Sequence, residues 1–306
     1  MARSRQSIAV VVLVLCVLYG VHGVAAQEAT SPPEDQPIDL TGLWIDSGRV
    51  VQVSHSGSSV TGMYVEPHEC DHHDGTTSET DEDFNASLDG YSLSGELTAC
   101  YWDTANPSEA GFRNVPLDMT LSEDGNTLSG TWYNSVLGQD MPLEITRITC
   151  RLTVYNSENF TNEQVVADVL FIPLLKRIDA YAADHNVQLY ITDSLRTSTN
   201  VPGAIVDPAQ NSNHLVGHAI DMNIEYTPTD GSSGFCNSGC LEGNNPPADV
   251  DAFLTDIRND PDLRWGGDFN TPDSVHIDDG LNVNDPDAWQ AIRDEVQADP
   301  ACFLSE

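Results

Sequence analysis

Two short segments in the second half of the chain most constrain what it can fold into. Residues 212–221 read Ser-Asn-His-Leu-Val-Gly-His-Ala-Ile-Asp, and residues 265–278 read Trp-Gly-Gly-Asp-Phe-Asn-Thr-Pro-Asp-Ser-Val-His-Ile-Asp. They contain His214, Asp221 and His276, two imidazoles and a carboxylate. A catalytic zinc site needs three N or O protein ligands and an open position for water. We therefore expect a fold that brings the two segments together around Zn2+.

A further carboxylate, Asp273, lies three residues before His276 and is predicted to be the general base. Taken alone, an aspartate after Pro272 is also typical of a turn or a helix cap. Two neighbouring carboxylates compete with it. Asp268 follows two glycines and is predicted to be a turn partner, whereas Asp278 is predicted to hold a ligand imidazole from behind.

His218 leaves the ligand set open. His214 and His218 are four residues apart, the spacing of two zinc ligands on one helical turn. However, Leu215 stands where that motif has glutamate, and Gly217 lies within the turn. We therefore expect His214 just before a short buried strand that carries Asp221, with His218 at the rim of the site.

Arg196 is the fourth component of the predicted site. It follows a predicted strand at 187–191, in a chain with only 12 Lys+Arg against 48 Asp+Glu. A guanidinium near the metal would polarise a scissile carbonyl or hold a substrate carboxylate in a bidentate contact. The alternative is a surface ion pair, which is common in so acidic a protein.

These motifs together resemble the family of zinc D-alanyl-D-alanine carboxypeptidases and L-alanyl-D-glutamate endopeptidases. That family includes VanX, VanY and several phage endolysins, and shares its fold with the Hedgehog signalling domain. The resemblance covers about 150–306. It is carried by three strings: Ser212-x-His214-x-x-Gly217-x-Ala219-x-Asp221, Trp265-Gly266-Gly267-Asp268 and Asp273-x-x-His276.

The resemblance implies three zinc ligands: His214, Asp221 and His276. It also implies that Asp273 is the catalytic acid/base, that Arg196 contacts the substrate and that Ser212 orients a ligand or the substrate. The chain departs from the family where Asp273 replaces the glutamate of many members. The residues around Arg196 and those after the last ligand also differ, and 228–247 resembles an insertion near the site.

The first half of the chain reads as an all-β domain over 39–149. A loose repeat ends in Gly62, Gly95 and Gly130, and two of its copies follow Asp-Gly turns, which are strong hairpin signals. We expect a small antiparallel barrel or sandwich of six to eight strands, connected as a meander.

From residue 150 the pattern changes to helices mixed with short strands, which indicates an α+β domain over 150–306. A capping box at 161–164 predicts a helix from Val165 to Ala183. Further helices are predicted from Pro246 to Asn259 and from Asp285 to about Ala298. With the resemblance, this favours a Hedgehog/DD-peptidase-like fold for the second domain.

The N-terminus predicts export. Residues 1–26 have the basic start, apolar stretch and small-residue cleavage site of a signal peptide, and 27–38 read as a flexible leader.

The sequence has 7 cysteines, of which Cys16 lies in the signal, leaving six (7 − 1). An even number in an exported chain favours disulfides. We expect the pairs Cys70–Cys100, Cys150–Cys302 and Cys236–Cys240, with half a structural zinc site as the alternative for the last.

The formal net charge of −36 excludes some partners. Nucleic acids and anionic membranes need a basic surface, so neither is expected to bind, and no membrane association is expected after signal removal. The acid excess, with Lys176 as the only lysine, fits either a protein of high-salt surroundings or an ordinary solvated surface. No feature predicts an oligomeric state.

The leading hypothesis is a secreted zinc metallopeptidase, with peptidoglycan or another peptide as its substrate. A D-Ala-D-Ala carboxypeptidase is expected, with an L-Ala-D-Glu-type endopeptidase as the alternative cleavage. A non-catalytic zinc-binding module of the same fold is the second hypothesis, but such a module would not need both Asp273 and Arg196. A third is a calcium-stabilised adhesin that uses the acidic first half of the chain. A dense cluster there could bind a metal or be a solvated loop held by Cys70: His68, Asp71, His72, His73 and Asp74.

Overall fold

The computed structural model describes residues 38–71, 77–80, 84–101, 111–134, 137–201, 206, 208–228, 231–243 and 245–304. The predicted signal peptide, the leader up to residue 37 and the segment His72–Asp74 lie outside the described residues. Residues Asp39–Glu306 form one compact unit that contains both halves of the chain. The division at 149/150 into two domains stays a prediction.

The first half is an eight-stranded antiparallel barrel with a separate two-stranded hairpin. Its strands are β1 Gly42–Asp46, β2 Arg49–Ser56, β3 Ser59–Tyr64, β4 His68–Asp71, β5 Thr77–Thr80, β6 Phe84–Asp89, β7 Ser92–Tyr101, β8 Gly111–Leu121, β9 Thr127–Asn134 and β10 Gln139–Arg147. The barrel closes in the order β1-β10-β9-β8-β7-β6-β3-β2, and β4 pairs only with β5. The predicted antiparallel meander is thus confirmed, as a barrel.

Two Asp-Gly turns set the register of the barrel. Gly90 joins β6 to β7 and Gly125 joins β8 to β9, each with the positive φ that glycine adopts at no steric cost. The strands then alternate between buried and exposed residues, as Val115 to Leu121 show on β8. Because the side-chain period of a strand is two, this alternation fills the barrel interior with apolar side chains.

The second half is an α+β region. Its elements are β11 Leu152–Tyr155, β12 Phe160–Asn162, β13 Val165–Asp168, α1 Ile172–Asp184, β14 Gln188–Asp193, β15 Ala219–Tyr226, β16 Gly234–Cys236, α2 Ser238–Leu241, α3 Ala248–Asn259, β17 Arg264–Trp265, β18 His276–Asp278, α4 Leu281–Asn284 and α5 Pro286–Ala298. Short 3-10 helices span Val169–Phe171, Asn213–Val216 and Gly266–Asp268. No described helix is both long and apolar enough to cross a membrane.

The predicted helix over 165–183 is wrong in its first turns. Val165–Asp168 is a strand that pairs antiparallel with β11, and the α-helix begins only at Ile172. The β-branched Val165 and Val166 favour a strand, and Pro173 fits the first turn of a helix rather than its interior. The capping-box pattern therefore marked the wrong boundary.

A mixed sheet in the order β12-β14-β15-β18-β17 is the centre of the second half, with β16 paired to the far end of β15. Alternate residues of β15, Ile220, Met222 and Ile224, are fully buried and join the core formed with α1 and α3. The residues between them, including Asp221, face the other side of the sheet. One face of the sheet therefore packs, and the opposite face is left for polar groups.

The C-terminal helix α5 closes that second face. Trp289, Ile292 and Val296 pack with Leu215 and Val216 of the 3-10 helix. The three predicted disulfides form, and Cys150–Cys302 fixes the chain after α5 to the end of the barrel. The segment that precedes β15 is thus held between the sheet and α5.

The backbone conformation of Gly217 leads to a prediction about the stability of the protein. Its φ of 72° ends the 3-10 helix Asn213–Val216, and a Cβ there would lie 2.7 Å from the backbone nitrogen of Asp168. We expect Gly217→Ala to destabilise the protein by about 2 kcal/mol or more, from left-handed strain plus the clash, as measured by urea unfolding. Gly125→Ala is the matched control, because its φ is 74° but nothing lies within 4 Å. Equal losses in the two variants would contradict the role of the close contact.

Candidate metal centre

Pairing across the sheet places three polar residues in one row. Asp221 on β15 is the register partner of His276 on β18 and, on its other side, of Asp193 on β14. The register of β14 shifts between Ile191 and Asp193, an irregularity of the kind that re-aims a side chain. Strand pairing alone therefore brings together residues 193, 221 and 276.

His214 joins this row from the 3-10 helix Asn213–Val216, which is buried along its whole length. Its Nε2 lies 3.0 Å from Asp221 Oδ1 and 3.1 Å from His276 Nδ1. His276 Nδ1 lies 3.0 Å from Asp221 Oδ1. The three atoms form a nearly equilateral triangle, and these residues are the group that the described chain offers for a metal ion.

The donor set and its spacing fit zinc. Tetrahedral Zn2+ with N and O ligands at about 2.0–2.1 Å has ligand–ligand edges of about 3.3 Å, close to the sides of this triangle. Zinc-binding histidines use one ring nitrogen for the metal and the other for a protein acceptor. Here His214 Nδ1 donates to the carbonyl of Ser194, and His276 Nε2 donates to Asp278 Oδ2. Both rings are therefore fixed with the second ring nitrogen facing the triangle.

Without a metal, the same three groups are electrostatically coupled. Burial opposes ionisation of Asp221, but His214 and His276 hold its pKa well below the usual range. Burial likewise disfavours the charged form of His276, yet its contacts with Asp221 and Asp278 raise its pKa to about 9. A buried carboxylate that stays ionised beside two imidazoles is suited to bind a dication.

Asp278 accepts a hydrogen bond from the His276 nitrogen that faces away from the triangle, as predicted. Its carboxylate accepts two hydrogen bonds of 2.7 Å from Arg264, and Asn213 Nδ2 donates to Oδ2 at 3.1 Å. Burial opposes ionisation of Asp278, but its contacts with His276 and Arg264 lower its pKa to about 2. Sequence reasoning missed Arg264 and Asn213, although both are adjacent to the motif residues Trp265 and His214.

Arg196 contacts a predicted ligand directly. Its Nη2 donates to Asp221 Oδ2, the oxygen opposite the triangle, and its Nε donates to Asp193. The side chain is largely buried and lines the cleft above the triangle. Asp193, which no motif of the sequence marks, therefore orients the arginine.

Asp273 and Ser212 line the same cleft, whose volume is about 490 Å3. Burial and the charge of Asp221 raise the pKa of Asp273. Its loop is held by hydrogen bonds from the Asp273 N–H to the Gly266 carbonyl and from the indole of Trp265 to the Ser274 carbonyl. A carboxylate with a raised pKa, placed beside the triangle, is suited to proton transfer.

His218 lies elsewhere, so its expected place at the site rim is wrong. It is buried, its Nδ1 is 2.6 Å from Asp279 and its Nε2 is 3.4 Å from Asp168. Asp268 is outside the cleft as well, paired with Arg258 at the surface. The expected insertion 228–247 does not line the cleft in its described part, and meets the Asp273 loop through Ser274 Oγ, which donates to the Ser238 carbonyl.

Asp278 generates a prediction about metal affinity. Replacing it by asparagine weakens the hold on His276, and loss of such an outer contact typically lowers metal affinity 10- to 100-fold. We expect the zinc affinity of Asp278→Asn to be lower by about that factor, as measured by competition with a chelating dye. Asp268→Asn is the control, because that carboxylate belongs to the same motif but pairs with Arg258. Unchanged affinity in Asp278→Asn would show that His276 needs no such support.

His218 generates a pH prediction. Burial alone would lower its pKa, but Asp168 and Asp279 raise it to about 9, with Arg151 facing Asp168 from the other side. Because the folded-state pKa exceeds the usual 6.5, this stabilisation is complete below pH 6.5 and is lost as the pH rises through 9. We expect unfolding free energy of the zinc-loaded protein to fall over that window, by at most about 3 kcal/mol from this residue.

Urea unfolding at several pH values measures this effect. His218→Gln is expected to be less stable at pH 6 and to show a shallower decline. His185→Gln, which removes a half-exposed pair with Asp256, serves as the control. An identical decline in wild type and His218→Gln would assign the pH dependence to other groups.

A comparison with known protein families matches the part of the chain that contains the candidate site. The family model described as D-alanyl-D-alanine carboxypeptidase matches residues 206–279, a range that contains His214, Asp221, Asp273 and His276. No curated protein and no solved structure matches the chain. The segment 206–279 is thus similar to the D-alanyl-D-alanine carboxypeptidase family, which agrees with the resemblance carried by its motifs.

Proposed function

We propose that the chain is a zinc-dependent peptidase that removes the terminal D-Ala from peptidoglycan stem peptides. One observation carries the proposal. Three candidate ligand atoms, all from the segment that matches the family model, lie 3.0–3.1 Å apart in a cleft that also contains Asp273 and Arg196. A module that only bound zinc would not require a carboxylate and a guanidinium beside the ligands.

The residues present would hold zinc through His214 Nε2, Asp221 Oδ1 and His276 Nδ1. When bound there, Zn2+ supplies Lewis acidity, which lowers the pKa of water to about 7 and polarises a carbonyl. Asp273 accepts the proton of the attacking water at its carboxylate and donates it to the leaving amine. Its raised pKa supports the first of these transfers, because a stronger base accepts a proton more readily.

Arg196 stabilises the substrate oxygen that gains negative charge. Two of its nitrogens are occupied by Asp193 and Asp221, so its orientation is set before substrate arrives. A preoriented donor in a partly desolvated cleft stabilises developing charge without reorganisation. Ser212, buried at the cleft wall, orients the substrate or a ligand.

Secretion is part of the proposal. A substrate outside the cell membrane requires export, and the predicted signal peptide at 1–26 would provide it. The three disulfides support this, since such bonds persist in oxidising compartments. The β-barrel would be an accessory or binding module, and no ligand is assigned to it.

Mass spectrometry of muropeptides tests the proposed reaction. Zinc-loaded wild type is expected to release one D-Ala from pentapeptide stems, whereas Asp273→Ala is expected to lose activity by about 10²- to 10⁴-fold. Asp268→Ala, a matched change in the exposed part of the same motif, should retain activity.

The products distinguish the alternatives. Cleavage between L-Ala and D-Glu would establish the endopeptidase instead. Intact muropeptides with one zinc bound per chain would contradict the proposal and favour a binding role or another peptide substrate.

A further inference from the structure

We infer that Arg264 binds the C-terminal carboxylate of the substrate, and so selects peptides with a free acid end. The inference rests on the proposed function, whose substrate it specifies. Arg264 lies at the start of β17, opposite Asp278 in the strand register, and lines the same cleft as Arg196 and Asp273.

The guanidinium of Arg264 is held rigidly. Nε donates to Asp278 Oδ1 and Nη2 to Asp278 Oδ2, both at 2.7 Å, and Nη2 also donates to Asn282 Oδ1 at 3.0 Å. Such a two-pronged contact fixes the plane of the group. Asp278 is itself fixed by His276 and Asn213. The arginine therefore has a defined position relative to the metal ligands.

One edge of this guanidinium remains for a ligand. Nη1 donates to no acceptor among the described residues, and the side chain is 30% exposed where it lines the cleft. The ring of Phe269 lies 5.1 Å from the guanidinium carbon and also lines the cleft. An apolar wall beside a charged donor excludes water and strengthens a contact with an anion.

The charge of the chain makes this position selective. The protein carries −36, and the cleft itself contains four carboxylates, Asp193, Asp221, Asp273 and Asp278. An anionic substrate end is repelled by these surroundings unless a cationic donor meets it. Arg196 and Arg264 are the arginines of the described cleft. Arg196 is oriented by Asp193 and Asp221 and is already assigned to the carbonyl oxygen that gains charge, so Arg264 is the cation left for the substrate end.

A pair of matched peptides tests this assignment: diacetyl-L-Lys-D-Ala-D-Ala as the free acid and as its C-terminal amide. A hydrogen bond to a charged group contributes about 1.5–3 kcal/mol, so we expect wild type to prefer the acid in kcat/KM by about 10- to 100-fold. In Arg264→Gln this acid/amide ratio should fall to about 1. The fall should come from a higher KM for the acid peptide. Arg258→Gln changes an arginine of α3 that contacts Asp268 and Trp265 outside the cleft, and this variant should keep the wild-type ratio.

Zinc content is measured in each variant, and assays are run at saturating zinc. If Arg264 acted only by fixing Asp278 and His276, both peptides would lose activity equally and the ratio would survive. A surviving ratio overturns the inference and assigns the acid preference to Arg196 or to the metal. Wild type that cuts acid and amide equally well also overturns it, while leaving the proposed function intact.

Calorimetry separates the inference from the proposed function. The zinc-loaded Asp273→Asn variant should bind the acid peptide about 10- to 100-fold more tightly than the amide, and the double variant with Arg264→Gln should bind both alike. If wild type cuts neither peptide but this preference is present, the inference stands and the proposed function fails. Equal binding of both peptides by Asp273→Asn overturns the inference.

Discussion

The antiparallel pairing of β15 with β18 is the constraint on which the site depends. It places Asp221 opposite His276 and sets Asp278 on the same face one step further along. A slip of one residue would turn every polar group of β18 into the apolar core. Ile220 and Ile277, both fully buried, prevent that slip, because the other register would expose them. The packed face of the sheet thus determines the geometry of the polar face.

The group of His214, Asp221 and His276 that the structure brings together could be predicted from the sequence, because each residue sits in a short motif with a metal-binding composition. The barrel could be predicted because Asp-Gly turns and two-residue alternation are local signals. What could not be predicted is contact between distant segments. Asn213 meets Asp278 across 65 residues, and Arg196 meets Asp221 across a bulged strand. No local sequence pattern indicates those contacts. The strand at Val165–Asp168 shows in addition that pairing with a distant strand can override a capping-box pattern.

Several of the few arginine side chains pair with buried carboxylates. Of the 12 basic residues, Arg151 pairs with the fully buried Asp168, Arg264 with Asp278, and Arg196 with Asp221. A buried carboxylate without a partner would cost several kcal/mol. Elsewhere the acid excess is left to solvent, where repulsion is weak and screened by salt. Three arginines of the described chain therefore neutralise buried carboxylates, and two of these arginines, Arg196 and Arg264, lie in the cleft.

The barrel and the metal centre are joined by a few specific contacts. Lys176, the only lysine, reaches from α1 to Glu66 after β3, and the Cys150–Cys302 disulfide ties α5 to the end of the barrel. Gln297 of α5 in turn donates to the carbonyls of Arg196 and Leu215. A continuous path therefore runs from the barrel through α5 to the backbone of Arg196 and of Leu215, the residue after His214. Because an exposed ion pair contributes little, the disulfide and the helix packing fix this path, and the barrel supports the segment that presents the first ligand.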